Sequence, residues 1–123
     1  MNPSSAKRKP LSFSRSQRIT KKVDFLRLRK NSAKWVARHW VLFYCENKLE
    51  KSRLAVTLSA RYGSAVQRNL FRRWLREKFR LHQNALQGYD LHFIAKQKPV
   101  QIAKTRYKDE LNEDFAKLLH RFS

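Results

Sequence analysis

The chain has 123 residues, and its 29 Lys and Arg against 9 Asp and Glu give a formal charge of +20. That length, with 41% hydrophobic residues and fifteen aromatics, supports one compact core, and the charge calls for an anionic partner. A single cysteine, Cys45, excludes an internal disulfide framework and a cysteine-based zinc site, and no apolar run is long enough for a membrane span.

Residues 1–16 are polar, basic and proline-containing, with no apolar stretch for a secretory signal, and predict a flexible basic arm before a domain over 17–123. An Arg- and Ser-rich organellar transit peptide is the alternative for this segment; otherwise the setting is reducing and cytosolic. Thr20 predicts a cap for a short helix from about Lys21 to Lys30, with Val23 and Leu26 on one face and Phe25 and Arg29 a turn apart on another. Residues 35–45 and 53–60, rich in β-branched, aromatic and aliphatic side chains, predict antiparallel strands joined by the polar segment 46–52.

The next segment, from Ser59 to Arg80, is SARYGSAVQRNLFRRWLREKFR. Gly63 allows a tight turn, Ser64 with Gln67 three residues on makes a capping box, and the helix is predicted to begin at Ala65. At roughly 100° per residue, Arg68, Asn69, Arg72, Arg73, Arg76 and Arg80 fall within an arc of about 140°. Leu70, Phe71, Trp74, Leu75 and Leu81 take the opposite arc, which predicts an apolar side docked on a sheet and guanidinium forks facing phosphate oxygens. A merely solvated helix interleaves Glu with its cations, yet Glu77 is the only acid here. Asn69 either adds directional hydrogen bonds to a ligand or holds a neighbouring arginine.

Gly88 predicts a stop before the alternating strand YDLHFIAK, residues 89–96. After Pro99, Thr105 predicts a cap for a last amphipathic helix carrying Leu111, Phe115, Leu118, Leu119 and Phe122, with Asp109 and Glu110 complementing the dipole of its early turns. The result is an α+β fold, a single-domain α/β sandwich of order α-β-β(-β)-α-β-α with helices on one face of a small sheet.

The four histidines lack metal-ligand spacing and two glycines make no phosphate loop, so no catalytic or metal-binding residue is assigned. Of the anionic sinks, nucleic acid fits better than membrane, with an affinity falling by about 0.7 log unit per neutralised phosphate per log unit of salt for single strands. Two histidines meeting in space, as in a small nuclease, remain the one route to chemistry by the chain itself.

The central segment resembles the signature of the protein subunit of bacterial ribonuclease P, with Gly63, Ala65, Val66, Arg68, Asn69, Arg73 and Arg76 in family order and spacing. Asp24 and Phe25, the strand Trp40 to Tyr44, Arg53, and Asp90 to Ala95 extend the likeness over roughly residues 15–120. The resemblance implies a cytosolic ribonucleoprotein that removes the 5′ leader of precursor tRNA. The large ribonuclease P RNA is the catalyst there, Mg2+ belongs with that RNA, and one protein serves each RNA. It further implies that Arg61, Arg68, Asn69, Arg72, Arg73 and Arg76 face the catalytic RNA, and Arg80, on the same helix arc, is expected to bind RNA beside them. Phe25, Arg29 and Phe43 take positions in a cleft for the single-stranded leader, although ordinary core packing is the competing role for the two phenylalanines. It also implies a left-handed crossover between two parallel strands. Leu70, Ala60 and Arg29 depart from the family pattern: Arg29 stands where a second cleft aromatic is usual and offers a guanidinium plane instead. A structural, ribosomal-type RNA-binding protein is the alternative function.

Overall fold

A computed structural model describes residues 17–122; the predicted basic arm lies outside the described residues. Helix α1 (Lys22–Asn31) is followed by strands β1 (Ala33–Val36), β2 (Trp40–Glu46) and β3 (Arg53–Thr57), helix α2 (Ala65–His82), strand β4 (Tyr89–Ala95) and helix α3 (Lys104–Phe122). A 3-10 turn over Ala60–Tyr62 precedes α2. The four strands form one sheet in the order β1-β2-β4-β3. β1 with β2 and β2 with β4 are antiparallel, whereas β3 and β4 are parallel and joined by a crossover through α2.

The strands differ from the expected pair in two ways. The 35–45 stretch is broken at 37–39 into a hairpin, closed by the Ala37 amide donating to the Trp40 carbonyl at 2.8 Å. Its corner is pinned from outside, because the Arg38 amide and guanidinium both donate to Asp114 on α3. Second, β2 and β3 are not neighbours, since β4 lies between them. Asp90, Leu91, Phe93 and Ala95 of β4 are buried, as a strand with partners along both edges requires.

One face of the sheet carries the main core. Trp40, Leu42, Leu54, Leu91 and Phe93 pack under Phe71, Leu75 and Phe79 of α2 and Leu111, Phe115 and Leu118 of α3. Trp40 meets Phe93 edge-on at 5.0 Å, and Phe93 stacks on Phe115 at 6.4 Å. Each such side chain contributes about 1.5 to 3 kcal/mol by leaving water, and Phe93→Ala would cost about 3 to 5 kcal/mol by opening a cavity. The other face is only partly covered. There α1 closes over one end with a small cluster of Ile19, Leu28 and Ala55, joined by Phe25 and Cys45.

The helix ends correct several local expectations. Lys21, not Thr20, sits at the N-cap of α1, without a side-chain cap. Val23 and Leu26 are 67% and 53% exposed, while Leu28 is buried, because the sheet meets α1 along Phe25 and Leu28. Thr105 lies inside the first turn of α3, so Asp109 and Glu110 fall beyond that turn and away from the dipole's end. Instead, Glu110 accepts from Arg106 and pairs with His39 at 2.7 Å. Gly88 does not end α2, which stops at His82; its φ of +86° lets the chain turn into β4. Finally, β3 ends at Thr57 rather than residue 60, because the 3-10 turn places Tyr62 inside, where its hydroxyl meets that of Tyr107 at 2.9 Å.

Candidate RNA-binding surfaces

The first surface is α2 and the turn before it. The capping box is complete: the Gln67 amide donates to Ser64 Oγ at 3.2 Å, and the Ser64 amide donates to Gln67 Oε1 at 3.1 Å. Gly63 makes room for this, since a Cβ there would stand 2.1 Å from Gln67 Oε1. Arg68 is tied into the same turn, its Nη1 donating to the Gly63 carbonyl at 2.7 Å. Arg61 is exposed in the 3-10 turn that the buried Tyr62 anchors.

Phe71, Leu75 and Phe79, spaced four apart, are the buried side of α2. Leu70 and Leu81 lie off that line and are 55% and 46% exposed, which corrects their expected place on the docked face. Trp74 is half-buried and donates from Nε1 to Asn112 on α3 at 2.8 Å. On the basic side, Asn69 accepts from Arg72 at 3.3 Å, so of its two expected roles this conformation displays the second. Arg80 pairs with Glu77, so its charge is locally offset. Among the described residues none of Arg61, Arg68, Arg72, Arg73 and Arg76 forms an ion pair.

The second surface is the part of the sheet that α1 leaves uncovered. Cross-strand register places Lys34, Phe43, His92 and Ala55 in one row and Val36, Val41, Ile94 and Thr57 in the next. Phe43 is half-buried, with the Lys34 ammonium 6.0 Å above its ring. Phe25 comes from α1 and meets His92 edge-on at 5.3 Å. Phe25, His92 and Phe43 thus form one patch spanning helix and sheet. His92 Nε2 lies 2.8 Å from Thr57 Oγ1. Burial, and then the charge of Arg29, push the His92 imidazole below its ordinary value and favour the neutral ring. Arg29 itself is exposed beside this patch. His92 is the residue that motif reasoning passed over; the alternation of β4 already put it on the opposite face from Leu91 and Phe93.

A third group of arginines is structural. The Asp90 side chain is fully buried and accepts from Arg53 at 2.8 and 2.7 Å, from Asn47 at 2.9 Å, and from Arg27. Burial alone would raise its carboxyl, but Arg53, Asn47 and Arg27 outweigh that and hold it below the usual carboxylate range. Arg53 also reaches Asp24 at 3.3 Å, fastening α1 and β3 to β4. Among the described residues no group of three or more His, Cys, Asp or Glu is placed to hold a metal ion. Both buried carboxylates, Asp90 and Asp114, already accept from arginines.

The family described as Ribonuclease P matches residues 13–123. The ribonuclease P protein component of Desulfosudis oleivorans is 31% identical over 113 residues, covering 91% of this chain and 90% of that protein. The one from Desulforapulum autotrophicum is 29% identical over 109 residues, 88% of this chain and 93% of that protein. Among solved structures, the Staphylococcus aureus RNase P protein superposes with a TM-score of 0.70 at 30% identity, covering 84% of this chain and 97% of that one. The Thermotoga maritima RNase P protein gives 0.67 at 26% identity, covering 85% and 96%. No helix among the described residues is long and apolar enough to cross a membrane.

Proposed function

The chain belongs to the ribonuclease P protein family, and from that membership we propose that it binds the catalytic RNA with α2 and the leader of precursor tRNA with the open sheet face. It is a subunit of a ribonuclease P enzyme and partners the ribonuclease P RNA. In this reading the RNA hydrolyses one phosphodiester bond to release the 5′ leader in the cytoplasm, with one protein per RNA. Mg2+ is assigned to the RNA, and the chain contributes charge and position. Arg61, Arg68, Arg72, Arg73 and Arg76 neutralise phosphates where the two RNAs crowd together, with Asn69 adding hydrogen bonds or holding Arg72, and the reduced repulsion between the RNAs makes divalent metal binding by the catalytic RNA and its substrate more favourable. Arg80 contributes less, because Glu77 already offsets it.

Phe25 and Phe43 offer ring faces to leader bases without selecting among them, as suits many different leaders. Arg29 adds a guanidinium at the rim of the patch. The observation that carries the proposal is the contrast within one small molecule: arginines facing the frame are ion-paired, while five of those on α2 and its preceding turn form no ion pair among the described residues. An uncompensated array of that kind is suited to a polyanion.

The deciding experiment is cleavage of a leader-bearing precursor tRNA at low magnesium, comparing the protein alone, a bacterial ribonuclease P RNA alone, and the two mixed. Efficient cleavage in the mixture only is the expected result. Cleavage by the protein alone would make it a nuclease, and no rescue in the mixture would leave a structural RNA binder.

A further inference from the structure

Helices α2 and α3 are joined by two polar bonds that fix which edge of α3 borders α2. Tyr62, next to Arg61, meets Tyr107 in the first turn of α3 through a buried pair of hydroxyls 2.9 Å apart, so the two helices start side by side. Further along, Trp74 Nε1 of α2 donates to Asn112 Oδ1 of α3 at 2.8 Å. Lys104, Lys108 and Asn112 follow one another at four-residue spacing, within an arc of about 80° at roughly 100° per residue. Because Asn112 is bonded to α2, both lysines lie along the bordering edge.

Arg106, Glu110, Glu113 and Lys117 fall within about 60° on the opposite side of α3. There Glu110 and Glu113 meet Arg38, and Glu110 also meets His39 and Arg106. Asp109 is exposed between the two edges. The helix thus sorts its charges, with paired carboxylates toward the hairpin corner and cations toward α2. Lys98, in the loop before α3, adds an ammonium 5.1 Å from the centre of the Tyr107 ring. Among the described residues Lys98, Lys104 and Lys108 form no ion pair.

Neither helix stability nor packing accounts for this basic edge. Cations at the start of a helix oppose its dipole, yet the first turn of α3 holds Lys104 and Arg106 with no acid. Lys104 and Lys108 are exposed, so they fill no space in the core. An exposed line of cations one turn apart, beside the uncompensated arginines of α2, is suited to a phosphate backbone. We propose that the edge of α3 bordering α2 is a second docking line for the ribonuclease P RNA, with Lys98, Lys104 and Lys108 holding phosphates beyond those met by Arg61 and α2. Placement favours the catalytic RNA over the leader. The Tyr62–Tyr107 pair makes this edge continuous with Arg61, whereas Phe25, His92 and Phe43 lie on the other face of the sheet. The docking line rests on the subunit reading and enlarges its RNA footprint onto a helix that the motif leaves out.

The test measures binding of the full-length protein to a bacterial ribonuclease P RNA across a salt series. The double variant Lys104→Gln/Lys108→Gln should bind about tenfold more weakly near physiological salt and lower the salt slope by about 1.5, as expected for two lost phosphate contacts. Its melting temperature should be unchanged or slightly higher, because the charge at Lys104 no longer opposes the dipole, whereas a structural defect would lower it. Arg106→Gln/Lys117→Gln removes the same two charges from the opposite edge and should change affinity less than about twofold. Lys104→Arg/Lys108→Arg should bind as the unmodified chain does. Equal losses for the two glutamine pairs would reveal a general charge effect and overturn the docking line. A loss confined to precursor tRNA binding by the assembled enzyme would put the substrate on this edge, and would overturn it too. Normal binding by the lysine-to-glutamine pair would remove the docking line alone, whereas an unmodified chain that fails to bind the RNA would remove the subunit reading and the docking line with it.

Discussion

In the corner where α1, β3 and β4 meet, Arg27 and Arg53 close on Asp24 and the fully buried Asp90. Along α2 and its preceding turn, Arg61, Arg68, Arg72, Arg73 and Arg76 carry the same side chain and the same charge, yet no carboxylate meets them among the described residues. The first group orders the protein, because a buried carboxylate is tolerable only while its donors are present. The second group is arranged at some electrostatic cost to the free protein and is suited to a partner that brings phosphate. The lesson is that an arginine's role is set by what it faces, and residue type alone does not report it.

The comparison yields predictions of decreasing size. Arg53→Ala leaves Asp90 in the interior with fewer donors and should destabilise the fold by about 3 kcal/mol in urea or thermal unfolding. A loss of RNA affinity with unchanged stability would instead move Arg53 into the binding group. The pH dependence runs in the same direction. Since Asp90 is held below its ordinary value when folded, its contribution is fully present above the unfolded value near 3.8 and is lost as pH falls through the lower folded value. Wild-type stability should therefore drop on acidification below about pH 4, and Asp90→Asn, though weaker throughout, should show a shallower acid limb.

Next in size is Arg73→Ala, which should weaken binding to the ribonuclease P RNA by about tenfold near physiological salt and reduce the salt slope by about one. Stability should move by less than about 0.5 kcal/mol. A large fall in melting temperature would show that the α2 arginines also belong to the frame. Phe43→Ala should lower affinity for leader-bearing precursor by about fivefold, at the lower end of one lost base stack, while mature tRNA binding is unchanged. Equal losses for both RNAs would remove the leader assignment. Phe25→Ala should act the same way but with added loss of stability, because Phe25 also packs on the Ile19, Leu28 and Ala55 cluster. The smallest effect is Ser64→Ala, which removes the side-chain acceptor at the start of α2 and should cost about 0.5 to 1 kcal/mol.

Much of this could be read before the fold was known, and the failures are instructive. The capping box and the start of α2 at Ala65 were readable because they depend on contacts within three residues. The helices and β4 followed from capping signals and periodicity, and the 35–45 and 53–60 stretches from their β-branched, aromatic and aliphatic content, without the break that separates β1 from β2. The Phe25, Arg29 and Phe43 group was available only through family resemblance, and even then His92, which lies between the two phenylalanines, was passed over. Asp24, Arg53 and Asp90 are legible in the sequence only as family-matching positions without a role, since the bonds joining them span 29 and 37 residues.

By itself the sequence determined the charge, the elements, the two-sided character of α2 and the family, because each of these is a property of composition or of neighbours along the chain. Only the tertiary structure decided that β4 would separate β2 from β3 and that the 35–45 stretch would turn a corner at Arg38. It also decided that Leu70 and Leu81 would face water, and which arginines would find carboxylates. The physical reason is common to all four. Strand order, burial and ion pairing depend on groups brought together from distant positions, and local preferences worth a few tenths of a kcal/mol yield to the burial of a core worth far more.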